Sequence, residues 1–414
     1  SEQRREARYQ RRRAKRMQKR NALLKECTYD KVISRDSLSK AADQAARGVR
    51  YKASVKRYLL RKPVNIGIVH QKLKDGRDVR KGFVCFKVME RGKLRNIMSV
   101  HFSERVPQKS LNQNALVPVL TRSLIYDNGA SRKGMGISHS MERLKTHLRR
   151  HFRRYGREGY ILQIDFKDYF ANIDHGIAKR IVSEAFDDER IIRITHQFID
   201  AYYIHGRKAA KRVGDDPDKV ERKGLGLGSE INQTLAITIP NALDHFVKEV
   251  LGVKAYGRYN DDSYLIHHDK NYLKYCLERI KEVCEKLKIT INDQKTKIIK
   301  LTRCFTFLKC RTSITDTGKV LMRPCRKAVT RQRQKMKKQK KLLDAGVLTM
   351  EDIAISYTSC RGFMSQKHAR KTIHNLDVLY FNLFRESVNK KGAIHDGRKD
   401  HGNSGGDQCV RAAT

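Results

Sequence analysis

Along the middle of this chain, short β-favouring runs broken by turn formers alternate with stretches of helical apolar period. The clearest run spans residues 256–266, where Tyr256, Tyr259, Tyr264, Leu265 and Ile266 flank Asn260, Asp261 and Asp262. That pattern predicts a strand, a tight turn bearing two adjacent carboxylates, and a returning strand. A second run, 160–165, ends on Asp165 and leads into a helical stretch. Two strands of one sheet can bring Asp165 and Asp261 together. Carboxylates so crowded repel one another and resist desolvation, so the arrangement calls for divalent cations.

The flanking pattern predicts the rest of the scaffold. Leu38, Ala41, Ala42, Ala45, Val55 and Tyr58 mark helices over 34–60 that end at Pro63. Residues 64–100 read as strands, with turns at Asp75-Gly76 and Arg91-Gly92. Met141, Leu144 and Leu148 form a core-facing stripe on a helix. Residues 206–223 are charged without apolar period and read as a surface loop. A buried helix is expected over 234–251, an amphipathic helix over 272–287, and strands over 289–291 and 305–309. A basic helix follows over 323–343, Ala345-Gly346 breaks it, and Thr349 with Asp352 signals a capping box. The tail beyond Ser387 is expected to be disordered.

Composition narrows the partners. With 39% hydrophobic residues the chain can fill a core, but a net charge of +46 repels itself and calls for a polyanion, nucleic acid first. No apolar run approaches the roughly 18 residues needed to span a bilayer, and no signal-type segment follows the basic N-terminus, so a cytoplasmic protein is expected. Nine cysteines without a Cys-x-x-Cys pair fit buried reduced thiols. Arg11, Arg12, Arg13 and Arg16 belong to an N-terminal segment of nearly one sign of charge. Such a helix gains little from i,i+4 pairing in water, which predicts an arm ordered by RNA.

Taken together, these stretches resemble a bacterial reverse transcriptase. Tyr259-Asn-Asp-Asp262 matches that family's Tyr-x-Asp-Asp box, and the block from Asp165 to His175 matches its first catalytic block. Gly224 to Gln233 resembles the nucleotide and template block, Ile291 to Thr296 the lysine block and Phe305 to Lys309 the primer grip, all in the family's order. The resemblance implies an α+β right-hand polymerase: a basic arm and helices at 1–60, fingers at 61–158, a palm with an antiparallel sheet at 159–322, a helical thumb at 323–386 and a tail at 387–414.

It also implies two Mg²⁺ ions, replaceable by Mn²⁺, held by Asp165, Asp261, Asp262 and the Phe166 carbonyl. Arg132, Lys93, Arg95, Phe170, Leu227, Gly228, Gln233 and Lys295 would surround the nucleotide, with Phe170 walling the sugar 2′ position and Lys295 near the departing pyrophosphate. Asp168 and Asp174 are expected to be non-catalytic. Arg326, Arg331, Arg333, Lys337 and Lys338 would join the arginines of the arm on nucleic acid.

The implied partners are dNTPs, an RNA template, its cDNA product and a possible small accessory protein. Leu227 stands where other reverse transcriptases tend to carry Gln, and the block Leu227–Gln233 resembles the form found in the enzymes of diversity-generating retroelements and their relatives, from which Asn232 departs by replacing Ser. Among these, an anti-phage defence enzyme working on a structured noncoding RNA is the expected system, with a diversity-generating retroelement as the alternative. No endonuclease pattern follows, so a complete group II intron protein is not expected. A maturase-like RNA-binding protein without catalysis is the competing class, and the intact aspartates speak against it.

Overall fold

The computed structural model describes residues 2–90, 93–226 and 228–396, the outermost of them by backbone alone. They fall into two compact units, Ser1–Thr302 and Arg303–Thr414. The chain is mixed α+β. In the first unit, β1 (Phe83–Glu90) and β2 (Lys93–Val100) form an antiparallel ribbon. A second sheet is built from β3 (Tyr160–Asp165), β4 (Tyr256–Tyr259), β5 (Asp262–His267) and β6 (Lys297–Lys300), in the order β4-β5-β3-β6.

Every strand pair in this four-stranded sheet is antiparallel. Side chains alternate across the sheet, so both faces must be covered. Leu162, Ile164 and Leu265 enter a core shared with Leu273, Cys276, Ile280 and Cys284 of helix Lys270–Lys286. Tyr264, one step out of phase with Leu265, instead meets His147 of helix Ile137–Tyr155 at 2.9 Å. Met141, Leu144 and Leu148 of that helix are buried as expected.

The second unit opens with an antiparallel meander of β7 (Phe305–Phe307), β8 (Cys310–Ile314) and β9 (Val320–Pro324). Three helices follow, Arg326–Asp344, Met350–Ser365 and Arg370–Asp396, around a core that includes Met336, Ile353, Leu376 and Phe384. Thr349 and Asp352 form the expected capping box. The eight described cysteines are all free.

Several elements differ from the sequence reading. Pro63 does not end a helix; it lies in the first turn of helix Lys62–Lys74, where its missing N–H is not needed. The stretch is rich in β-branched residues, but it buries Ile66, Val69 and Leu73 at helical spacing. Residues 206–212 are not loop: they complete helix Glu189–Arg212, whose apolar upstream face anchors a run of good helix formers. The apolar segment at 234–251 is broken at Pro240 into Glu230–Thr238, Asn241–His245 and a π-helical turn at Phe246–Val250. Residues 289–291 contribute only an isolated bridge between Phe166 and Ile291. The last helix runs to Asp396, past Ser387, and the rest of the expected tail lies outside the described residues.

Candidate active site

Pairing of β3 with β5 places Asp165 opposite Asp262, and the turn Asn260-Asp261 precedes Asp262 directly. Asn260 adopts the left-handed conformation at φ 53°, which Asn tolerates better than most residues. The Phe166 N–H donates to the Asp261 carbonyl at 3.3 Å, fastening the β3 end to that turn. The three carboxylates thus meet where two strands abut. Burial, then the nearby charges of Asp261 and Asp165, push the Asp262 carboxyl up to about 7.

Lys295 answers this negative charge by placing its Nζ 2.7 Å from Asp165 Oδ2. The hydrogen bond to Asp165 holds the ammonium pKa above its ordinary value. Among the described residues no three His, Cys, Asp or Glu side chains are grouped so as to hold a metal ion by themselves. An open cluster of hard carboxylate oxygens nevertheless fits Mg²⁺, which takes one or two carboxylates and completes its shell with water and substrate phosphates. The mutual repulsion at Asp262 is what such a cation relieves.

The neighbouring segment is stitched beside Phe170. The Leu225 N–H donates to the Phe170 carbonyl and the Gly224 N–H to the Ile173 carbonyl, both at 2.8 Å. Phe170 itself is half-buried, edge-on to the buried Tyr169 ring. Gly228 has φ 130°, and a Cβ there would lie 3.2 Å from the Met98 carbonyl, so this backbone passes close to β2. Gln233 is half-buried one turn on. Asp168 sits at the N-cap of a short helix, and Asp174 caps helix His175–Ala185 by accepting from the Ile177 N–H.

Arg132 lies on a loop that joins the edge of β4: the Arg258 N–H donates to the Asp127 carbonyl at 3.1 Å. Its guanidinium donates to the Ile125 and Asn128 carbonyls, both at 3.0 Å, so part of its donor set is spent on the loop. Leu227 and the side chains of Lys93, Arg95, Arg12 and Arg13 lie outside the described residues. Arg11 and Arg16 are exposed. On helix Arg326–Asp344, Arg326, Arg331, Arg333, Lys337 and Lys338 face solvent while Gln332, Met336 and Gln339 are buried.

Two residues, Arg258 and Asp244, escaped the sequence reading. Arg258 is fully buried and forms a two-pronged ion pair with the equally buried Asp244, at 2.8 and 2.7 Å. It also donates to the Asn260 carbonyl at 3.0 Å and the Ile237 carbonyl at 2.8 Å, and so grips the acidic turn from beneath. Asn232 donates to the Gly226 carbonyl and to the Tyr202 hydroxyl, each at 2.7 Å, which fixes the glycine segment. The available signal was a charge set inside an apolar run at Arg258 and at Asp244.

A second buried polar group backs the sheet. Asp127 accepts from Arg143 at 2.5 Å and from Lys248 at 2.8 Å, with His147 at 3.6 Å. Burial lowers the His147 pKa from 6.5 to about 4. The unfolded state therefore binds the proton more tightly, and stability present above pH 6.5 is lost as pH falls towards 4. Relative to a His147→Asn variant, the protein should lose about 2 kcal/mol between pH 7.5 and pH 5 in denaturant titrations. Equal slopes for the two proteins would exclude His147 as the cause.

A telomerase structure from Candida albicans, in complex with a TWJ fragment of telomeric RNA, aligns over 74% of this chain at 12% identity and a TM-score of 0.44. The match covers 56% of the telomerase chain, so this chain spans little more than half of its length. No curated protein sequence matches the chain. Residues 87–313 match the family described as "Reverse transcriptase (RNA-dependent DNA polymerase)". That match covers more than half of the 414 residues and takes in Asp165, Asp261 and Asp262; the chain belongs to the reverse transcriptase family.

Proposed function

We propose that the chain synthesises DNA on an RNA template, with Asp165, Asp261 and Asp262 as its catalytic carboxylates. The observation that carries this reading is the meeting of the three at the β3–β5 junction. They, with the Phe166 carbonyl, would hold two Mg²⁺ ions. When bound, the ions supply charge neutralisation for the triphosphate and a lowered pKa for the primer 3′-hydroxyl.

The chain's own residues do the positioning. Arg258 and the Phe166 N–H hold the acidic turn in register. Lys295 keeps a mobile cation at Asp165, within the reach of a phosphate leaving group. Phe170 walls the sugar and rejects a 2′-hydroxyl by steric clash. Gly228 lets backbone approach the nucleotide, with Gln233, Arg132, Lys93, Arg95 and Leu227 completing the pocket. In this reading residues 61–158 are fingers, 159–322 palm and 323–386 thumb. The basic face of helix Arg326–Asp344 and the N-terminal arginines grip backbone phosphates without reading sequence.

Within the family we assign the chain to the enzymes of anti-phage defence and diversity-generating retroelements, with a defence-type structured noncoding RNA as the favoured template. The assignment rests on the form of the Leu227–Gln233 block. Among the described residues no helix is long and apolar enough to cross a membrane. Purified protein should extend a DNA primer on an RNA template with dNTPs and Mg²⁺ and stop on addition of EDTA. No extension with either Mg²⁺ or Mn²⁺ would refute polymerase activity. Sequencing the RNA and cDNA that co-purify would identify the template, and a repertoire without one dominant structured RNA would refute the defence assignment.

A further inference from the structure

We infer a second RNA contact, apart from the carboxylate cluster: a cavity of about 490 Å³ that takes one nucleotide of a single-stranded RNA. The inference rests on the reading of the chain as a protein that works on RNA. The cavity lies between helices Ala53–Leu60 and Lys62–Lys74, the segment before β1 and the start of helix Phe102–Leu111. Its volume falls in the range of small-ligand sites. None of its lining residues belongs to the site described above.

Charge points to the ligand. Arg57, Lys72, Lys81 and His101 line the cavity, and no carboxylate does. Partly buried lysines elsewhere in this unit are neutralised: Lys62 pairs with Asp43, Lys109 with Glu230 and Lys179 with Asp200. Among the described residues the partly buried Lys72 makes no ion pair, and neither do the exposed Arg57 and Lys81 at the rim. Like charges gathered around a concavity repel until an anion enters. Lys81 is also held in place, because its N–H donates to the buried Glu104 carboxylate at 2.7 Å.

The remaining wall points to a nucleotide rather than to a bare phosphate. Ile68 lies half exposed on the wall, beside Tyr58, which is buried edge-on against Phe102 and shows the cavity only a small part of its ring. Val64, one turn before Ile68 on the same helix, is 61% exposed, which extends the apolar surface. Cations around an apolar hollow suit a strand whose base can leave its stack, whereas a duplex offers its phosphates on a convex surface that would leave the hollow unfilled.

The test uses the full chain and a 12-nucleotide single-stranded RNA carrying 5-iodouridine. Photo-crosslinks should map to residues 54–81 or 101–103, and should persist in an Asp261→Ala/Asp262→Ala variant. Arg57→Ala/Lys72→Ala/Lys81→Ala should reduce the salt slope of RNA affinity by about 1.4, roughly 0.7 for each of the two phosphates that flank one nucleotide. The control Lys270→Ala/Lys274→Ala/Lys286→Ala removes three exposed cations from another helix and should change the slope by less than about 0.5. Equal slopes for the two triple variants, or crosslinks confined to other segments, would overturn the inference. Efficient competition by ATP would replace the RNA with a free nucleotide, and equal crosslinking of the same sequence as DNA would remove the RNA preference. Crosslinking at the cavity by a protein that extends no primer would leave this site standing and refute the polymerase reading instead.

Discussion

Replacing both Asp261 and Asp262 by alanine should lower dNTP incorporation at least about a thousandfold, equivalent to roughly 4 kcal/mol at the transition state. RNA affinity should stay within about twofold, because phosphate grip and chemistry draw on different side chains. The same substitution should leave stability unharmed or improve it in EDTA at pH 8. The Asp262 carboxyl is pushed up to about 7 by burial and by its acidic neighbours, so its ionised form is a cost to the folded state. For a raised carboxyl the sign is fixed: stability is fully present below the unfolded value near 4 and is lost as pH rises through about 7. A protein that loses activity and gains melting temperature carries the signature of a site strained for function. Primer extension and thermal melts on one preparation check both halves; robust synthesis by the double variant would overturn the assignment.

The second large effect is expected at the buried pair beneath the turn. Arg258→Ala or Asp244→Ala should each cost about 3–5 kcal/mol in denaturant titrations, because each strands an unpaired charge with no access to water. Tyr256 donates to Asp244 at 2.6 Å, so Asp244→Ala also orphans a buried hydroxyl. Replacing the group together, as Arg258→Met/Asp244→Leu/Tyr256→Phe, should recover most of that stability. Activity should not recover with it. Without the bond from Arg258 to the Asn260 carbonyl the acidic turn is free to shift, and extension should stay down at least about tenfold. Recovery of full activity by the apolar triple would show that Arg258 serves stability alone.

Both predictions join a feature readable from the chain to one that is not. The strand–turn–strand around Asp261, the strand ending at Asp165, the stripe of Met141, Leu144 and Leu148 and the capping box at Thr349 stand in the structure as the pattern predicts. Each is recorded within a few neighbouring residues, by alternation, by helical period or by a cap and its partner three positions on. Helix Lys62–Lys74 was misread because its β-branched residues carry no helical signal of their own, and packing of Ile66, Val69 and Leu73 decides its form. Residues 206–212 were misread because helix propagates from the apolar face upstream.

By itself, then, the amino-acid order determined which carboxylates end up on strand ends and turns, and how much positive charge the chain must spend on a polyanion. Tertiary structure alone decided that Lys295 reaches Asp165 from 130 positions away, that Arg258 and Asp244 support the turn unseen by water, and that unpaired cations line a hollow near the N-terminus. The physical reason is one of range. Backbone torsions and side-chain period are written locally, whereas the partner of a charge is chosen by whichever surfaces the burial of apolar area presses together.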